Sequence, residues 1–117
     1  MTDTTKKVIE VGKASDEQLA AWKLEHKIVN EFVLEVSETE KSFFYTRKHK
    51  RQHAEEGYKI VSTSGFLASG TYLLDSLFIG GDSRVLSDAD EDVDIRVSAC
   101  HLMASSVELL KGEVIKN

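Results

Sequence analysis

The chain has 117 residues, a length that fits one domain, and its 41% hydrophobic and 30% charged residues are typical of a globular protein rather than a disordered chain or a membrane protein. The formal net charge of −5 argues against the broad basic surface that general nucleic-acid binding needs. The single cysteine, Cys100, excludes an internal disulfide and favours a reducing compartment.

The first half of the chain predicts a short helix and a β-hairpin. Residues 1–14 are polar, and we expect a flexible N-terminal segment there. Ser15 and Gln18 form a capping box, and apolar residues follow at helical spacing, among them Trp22, which predicts a helix of about three turns. The stretches KIVNEFVLEV and SFFYTR are rich in β-branched and aromatic residues, and the polar SETEK between them predicts a turn that joins two antiparallel strands.

The second half of the chain predicts three helices. A helical period begins after Arg47 and indicates a helix over about residues 49–62. The segment FLASGTYLLDSLFIGG carries the most apolar helix, which the closing glycines end. The loop SRVLSDADED, with one helical turn near its start, leads to a last helix from about Asp90 to Lys111, whose acidic first turn suits the positive end of the helix dipole.

These elements predict an α+β fold with an N-terminal short helix and a β-hairpin, followed by a bundle of about three helices. We expect a single domain over residues 15–112 and a C-terminal tail over residues 113–117. No apolar stretch approaches the ~20 residues that a membrane span requires, and the N-terminus lacks the features of a signal peptide. We therefore expect a cytoplasmic protein without membrane contact.

The stretch FFYTRKHKRQH concentrates basic residues in an otherwise acidic chain. Its cations can contact phosphates and its aromatic rings can stack on bases, so a small nucleic-acid-binding regulator is one hypothesis. The acidic composition favours the alternative, a strand-to-helix junction whose charges are solvated or contact a protein. The candidate partner-binding residues are the cations and rings of this stretch and the only tryptophan, which would be an interface hot spot if partly exposed: Trp22, Phe44, Tyr45, Arg47, Lys48 and Arg51.

No pattern in the sequence indicates a catalytic, metal or cofactor site. His49 and His53 stand at i, i+4 spacing, but no third metal ligand accompanies them. The acidic run Asp88–Asp94 lacks the glycine and the closing glutamate of a calcium loop, and the glycines fit neither a P-loop nor a dinucleotide fingerprint. Cys100 lies on the apolar stripe of a predicted helix, where cysteine is usually inert. We therefore predict a non-enzymatic protein with no metal and no cofactor.

Three segments of the chain share their order with a known family. They are LAAWKLEHKIVNEFVLEV before the predicted turn, FFYTRK at the end of the second strand, and LLDSLFIGGD at Leu73–Asp82, followed by the acidic start of the last helix. In this order they resemble small bacteriophage proteins of the tail-assembly-chaperone type, which belong to the tail genes of phages and prophages. The resemblance covers about residues 15–112 and includes no catalytic signature.

The resemblance implies a protein without an active site that binds phage tail proteins in the bacterial cytoplasm, either the tape-measure protein or tail-tube subunits, with self-association as a further expectation. A hairpin with an open edge can extend its sheet with a partner strand, and an apolar helix face can bind a partner helix. Two alternatives stay open. One is a structural head–tail component that remains in the virion, and the other is a nucleic-acid-binding regulator that uses residues 47–51, whose binding must weaken steeply as salt rises.

Overall fold

The computed structural model of the chain describes residues 7–107 and 113–116. Two 3₁₀ turns, Ser83–Leu86 and Asp90–Asp92, precede the last helix. The helices and strands are, in chain order, β1 (Ile9–Val11), α1 (Asp16–His26), β2 (Val29–Ser37), β3 (Glu40–Arg47), α2 (Arg51–Ser64), α3 (Phe66–Leu77), β4 (Phe78–Gly81) and α4 (Val93–Ser106).

The strands form one mixed, four-stranded sheet with β3 at its centre. On one side of β3, β2 pairs antiparallel over residues 29–37. On the other side, β1 pairs in parallel with residues 40–42 and β4 pairs antiparallel with residues 44–46. The backbone N–H of Asp82 donates to the carbonyl of Phe43 at 2.8 Å, between these two short strands. Strand β3 is thus paired along both edges, whereas β2 is an edge strand of the sheet.

The fold is α+β, as predicted, but the arrangement of its elements corrects the prediction. The first regular element is the strand β1 rather than a helix, because Ile9–Val11 pair with the start of β3. The two predicted strands form a hairpin, yet they belong to a four-stranded sheet. Helices α3 and α4 pack on each other and against this sheet, so the helices do not form a separate bundle.

The segment FLASGTYLLDSLFIGG, predicted as one helix, divides into α3 and β4. Phe78 has extended backbone angles and starts the strand. Gly81 has a φ of +117°, and a Cβ at this position would lie 2.6 Å from the Cα of Phe44, so glycine lets β4 approach β3 closely. In the last helix, α4 ends at Ser106, and the predicted continuation to Lys111 falls largely outside the described residues.

The hydrophobic core lies between the sheet and helices α3 and α4. Phe44 is fully buried there, and its ring stacks on that of Phe32 with the centroids 4.9 Å apart. The two helices approach closely at Gly70, where a Cβ would lie 2.7 Å from the carbonyl carbon of Cys100. The buried side chains that surround Phe44 come mainly from α3 and α4: Leu73, Leu74, Leu77, Val85, Ala99, Cys100 and Met103.

A buried histidine caps the start of α2. The backbone N–H of Lys50 donates to Nδ1 of His53 at 3.0 Å, and His53 is 5% exposed. Desolvation lowers the pKa of His53 below its ordinary value of 6.5, and the positive charges of Arg47 and Lys50 lower it further. The helix therefore requires a neutral imidazole whose Nδ1 is an acceptor.

This cap predicts a pH-dependent stability. Between the lowered pKa of folded His53 and about 6.5, the unfolded chain binds the proton more readily, so the free energy of unfolding should fall as pH drops below about 6.5. The substitution His53→Gln keeps an acceptor at the third helical position and removes the titration. Urea unfolding between about pH 8 and about pH 5 should show a shallower fall in this variant than in the wild type. Equal slopes would show that His53 does not carry this pH dependence.

Candidate protein-binding groove

Two of the predicted contact residues, Phe44 and Tyr45, are fully buried. A ring that contacts a partner has to be accessible, and these two are covered because β3 is the central strand and both of its faces are packed. Phe44 lies in the core below α3 and α4. The hydroxyl of Tyr45 accepts a hydrogen bond from the N–H of Ala14 at 3.1 Å, and burial raises the pKa of Tyr45. Neither ring is accessible to a partner in this fold.

Trp22 is half-buried and packs α1 against the sheet. Its ring centroid lies 5.2 Å from that of Tyr45, with the planes tilted by 40°. The ring also covers Gly80 of β4, where a Cβ would collide with it. No residue of α1 is fully buried, so Trp22 is a main anchor of this helix. Its role in partner binding stays a prediction.

The basic residues of the predicted site do not converge on one point. The guanidinium of Arg47 donates to the carbonyl of Ser76 at 3.0 Å, which ties the end of β3 to α3. Arg51 pairs with Glu55 at 2.6 Å in an exposed position, where such a pair contributes little to stability. Lys48 is exposed. Two of the three cations therefore have partners within the chain, and their contact with an outside partner stays a prediction.

The outer edge of β2 is the longest open strand edge in the described part of the chain. β2 has nine residues, and among residues 7–107 and 113–116 it pairs only with β3. Along an antiparallel edge, alternate residues direct their N–H and C=O groups away from the neighbouring strand. An open row of this kind is a template for pairing with a further strand.

A groove lies between this open edge and helix α4, and we call it the β2–α4 groove. Its middle part has a volume of about 610 Å³ and a mainly apolar lining. Val33 and Leu34 of β2 form one wall, Val97 and Leu102 of α4 form the other, and Leu67 at the start of α3 completes it. Val33, Leu67 and Val97 remain 40% to 45% exposed, so this apolar surface is accessible.

One end of the groove is acidic. Beside Val36, a volume of about 340 Å³ is lined by Glu35 of β2 and by three carboxylates at the start of α4, Glu91, Asp92 and Asp94. This volume shares Glu35 with the apolar middle part, so the two are contiguous. The acidic end therefore continues the apolar surface along β2.

Among the residues that the structure describes, Arg84 is the one cation lining this acidic end, and it already has carboxylate partners. Arg84 pairs with Glu40 at 2.7 Å and with the buried Asp82 at 2.8 Å. Burial acts to raise the pKa of Asp82, but hydrogen bonds from Arg84 and from the hydroxyl of Ser42 outweigh it and lower the pKa. Asp82 is consequently ionised at neutral pH. The charge of Arg84 is balanced by two carboxylates, so the end of the groove stays negative.

The opposite end of the groove lies at the start of β2. A volume of about 570 Å³ there is lined by Ile28, Phe32, Lys48 and His49, with Ser106 from the end of α4. Helix α4 thus runs antiparallel to β2, with its start at the acidic end and its last turn beside the start of the strand. The spaces along β2 thus run from the carboxylates at the start of α4 to the start of the strand, where Glu31 lies beside Lys48 and His49.

No family model, no curated protein and no solved structure matches the chain. In the described ranges, no group of three or more His, Cys, Asp or Glu side chains is placed to hold a metal ion. The same residues include no helix that is long and apolar enough to cross a membrane.

Sequence reasoning identified one wall of the groove and missed the other. The alternation of charged and apolar residues over Glu31–Glu35 marks β2 as a strand with one face exposed. Val97 and Leu102 lie on the predicted apolar stripe of the last helix, which suggested core positions. The structure leaves Val97 43% exposed, because it lines the open groove beside Val33 and Leu34 rather than the closed core.

Proposed function

We propose that this chain is a non-enzymatic protein that binds other proteins through the β2–α4 groove and assists tail assembly of a bacteriophage or prophage. The observation that carries the binding function is the open nine-residue edge of β2 beside an accessible apolar wall. An exposed strand edge next to an apolar surface is an aggregation hazard unless a partner covers it. A binding function gives this combination a physical reason.

The tail-assembly role rests on the resemblance described for residues 15–112. Its partners would be the tape-measure protein or tail-tube subunits, which are present in the bacterial cytoplasm before the tail is complete. The net charge of −5 helps to keep the protein dispersed while its apolar groove is open. The function requires no chemistry beyond reversible contact.

The substitution Val97→Arg tests the groove as the binding surface. Val97 is 43% exposed on α4, so an arginine there should leave the fold intact while it places a cation and a long side chain in the groove. Val61→Arg on α2 is the matched control, because Val61 is 42% exposed and lies outside the groove. In pull-downs of the tagged full chain from phage-producing cells, we expect Val97→Arg to reduce recovery of tail proteins about tenfold or more and Val61→Arg to have little effect.

Mass spectrometry of the eluate and of purified virions decides between the roles. Tail proteins in the eluate, together with absence of this chain from virions, would support an assembly factor. Presence in virions would instead assign it to the structural components of the particle. Recovery of nucleic acid without tail proteins, or equal recovery by the two arginine variants, would contradict the proposal.

A further inference from the structure

We propose that the β2–α4 groove binds an extended segment of a partner protein as an additional strand on β2, and that this segment alternates apolar with basic residues. The inference rests on the proposed protein-binding function and specifies the chemistry of the partner. It follows from three features of the groove: the backbone of the β2 edge, the side chains of the wall formed by α4, and the charges on the opposite face of β2.

The backbone of β2 determines that the partner is a strand. Main-chain hydrogen bonds to an open edge provide affinity that does not depend on the partner's sequence. A strand of nine residues, such as β2, extends for about 30 Å at the usual rise per residue. A helix placed in the groove would leave the N–H and C=O groups of this edge unpaired.

The helix-side face of the groove selects apolar residues. Phe32 and Leu34 pack toward the core, and the ring of Phe32 stacks on Phe44, so these alternate residues of β2 face the helices. The side chains of an added strand that lie level with them would enter the space beside Val97 and Leu102. Apolar side chains gain most there, because the apolar lining is removed from water.

The opposite face of β2 selects basic residues. Glu31, Val33 and Glu35 alternate with the core-facing residues and so lie on the other face of the strand. Val33 and Glu35 also border the open edge, which is how they line the groove. Glu31 approaches the hydroxyl of Tyr45, which lies on this face of the sheet, and it contributes to the raised pKa of Tyr45. In a pair of strands, opposite charges directly across from each other are favourable and like charges are unfavourable. Lysine or arginine is thus preferred opposite Glu31 and Glu35.

These charges disfavour a second copy of β2 as the occupant. If two copies paired antiparallel about Val33, Glu31 of each would stand opposite Glu35 of the other, and no cation of β2 would compensate. The carboxylates of Glu91, Asp92 and Asp94 add to the negative charge at one end of the groove. The observations therefore favour a basic segment from a different protein.

A pair of labelled peptides tests this chemistry directly. One is a fluorescein-labelled nonapeptide in which lysine and valine alternate, and the other has the same composition with its valines in one block. Fluorescence anisotropy at about 0.15 M salt suppresses attraction that is due only to net charge. We expect the full-length protein to bind the alternating peptide at least about tenfold more tightly than the block peptide, and Val97→Arg, but not Val61→Arg, to abolish the difference.

A reversal of charge provides the second arm of the test. The double substitution Glu31→Lys, Glu35→Lys should change the preference by about tenfold toward a peptide that alternates valine with glutamate. The control Glu17→Lys, Glu56→Lys makes the same change in net charge at exposed helix positions and should keep the original preference. Equal binding of the alternating and block peptides, or the same response in both double variants, would overturn the proposal.

The outcomes separate this inference from the proposed function. If Val97→Arg prevents recovery of tail proteins but no peptide shows the expected preference, the groove binds proteins and the proposed segment chemistry is wrong. If sedimentation shows a dimer that Val97→Arg dissociates, the edge is occupied by a second copy, which also overturns the inference. Preference for the alternating peptide without recovery of tail proteins supports the segment chemistry and contradicts the tail-assembly role.

Discussion

The substitution Gly70→Ala should lower the free energy of unfolding by at least about 3 kcal/mol. Gly70 lies inside α3, where alanine would ordinarily stabilise the helix by about 1 kcal/mol. Its Cβ would, however, overlap the carbonyl oxygen of Cys100 and lie 2.7 Å from the carbonyl carbon. The obstacle is backbone of α4, which moves only if the two helices separate. The steric cost therefore exceeds the gain in helix propensity.

Gly57→Ala is the matched control for this prediction. Gly57 lies inside α2, and a Cβ there would meet the side-chain oxygen of Ser69 at 3.2 Å and a methyl group of Leu73 at 3.5 Å, both of which can shift. We expect its stability to stay within about 1 kcal/mol of the wild type. Urea unfolding followed by circular dichroism measures both variants. If Gly70→Ala were as stable as Gly57→Ala, the close contact of α3 with α4 would be wrong.

The substitution Gly70→Ala should also affect partner binding. Helix α4 forms one wall of the β2–α4 groove, and its packing on α3 holds Val97 and Leu102 at their distance from β2. Separation of the two helices at Gly70 would widen the groove. We therefore expect a Gly70→Ala protein that remains folded at low temperature to bind the alternating peptide more weakly than Gly57→Ala does.

The elements that the sequence predicted correctly are those with local signals. The predicted N-cap of α1 is present, with the hydroxyl of Ser15 accepting from the N–H of Gln18 at 3.1 Å, which is one of the two bonds of a capping box. The hairpin of β2 and β3 follows from alternation and from the polar turn between the strands. In each case, neighbouring residues supply both the preference for a conformation and the contacts that satisfy it.

The strands β1 and β4 could not be predicted in the same way. They have three and four residues, too few for a period to be recognisable, and each is stabilised by pairing with β3, which is distant in the sequence. Their pairing places β3 at the centre of the sheet. The hairpin alone leaves the second edge of β3 unpaired, and nothing in the local pattern shows that Phe44 and Tyr45 lie in a central strand covered on both faces.

The candidate groove likewise combines a feature that local sequence patterns predict with features that they do not. The open edge of β2 follows from a strand order that, within residues 7–107 and 113–116, places only β3 beside it, and the hairpin alone suggested an open edge. The position of α4 along that edge depends on its packing against α3, including the contact at Gly70, which no local pattern reveals. The acidic residues at Glu91–Asp94 were interpreted as helix-dipole charges. The structure adds that they line one end of the groove.

The substitution Phe44→Ala should cost about 3–5 kcal/mol, a large part of the stability of a domain of this size. Phe44 is fully buried, its ring stacks on Phe32, and alanine would leave a cavity among the core side chains of α3 and α4. A surface contact residue would behave differently, because its loss would weaken partner binding and leave stability unchanged. Phe44→Ala therefore distinguishes the core position from the contact role that the sequence suggested.

Two further variants make this test specific. Phe44→Leu keeps most of the apolar volume and should cost less than Phe44→Ala. Tyr58→Ala removes an aromatic ring that is 64% exposed on α2, and it should change stability by no more than about 0.5 kcal/mol. Urea unfolding of Phe44→Ala, Phe44→Leu and Tyr58→Ala gives the order of their stabilities directly. If Phe44→Ala unfolded at the same urea concentration as Tyr58→Ala, β3 would not be the buried centre of the sheet. The β2–α4 groove would then be contradicted as well, because its position depends on β2 being paired with a central β3.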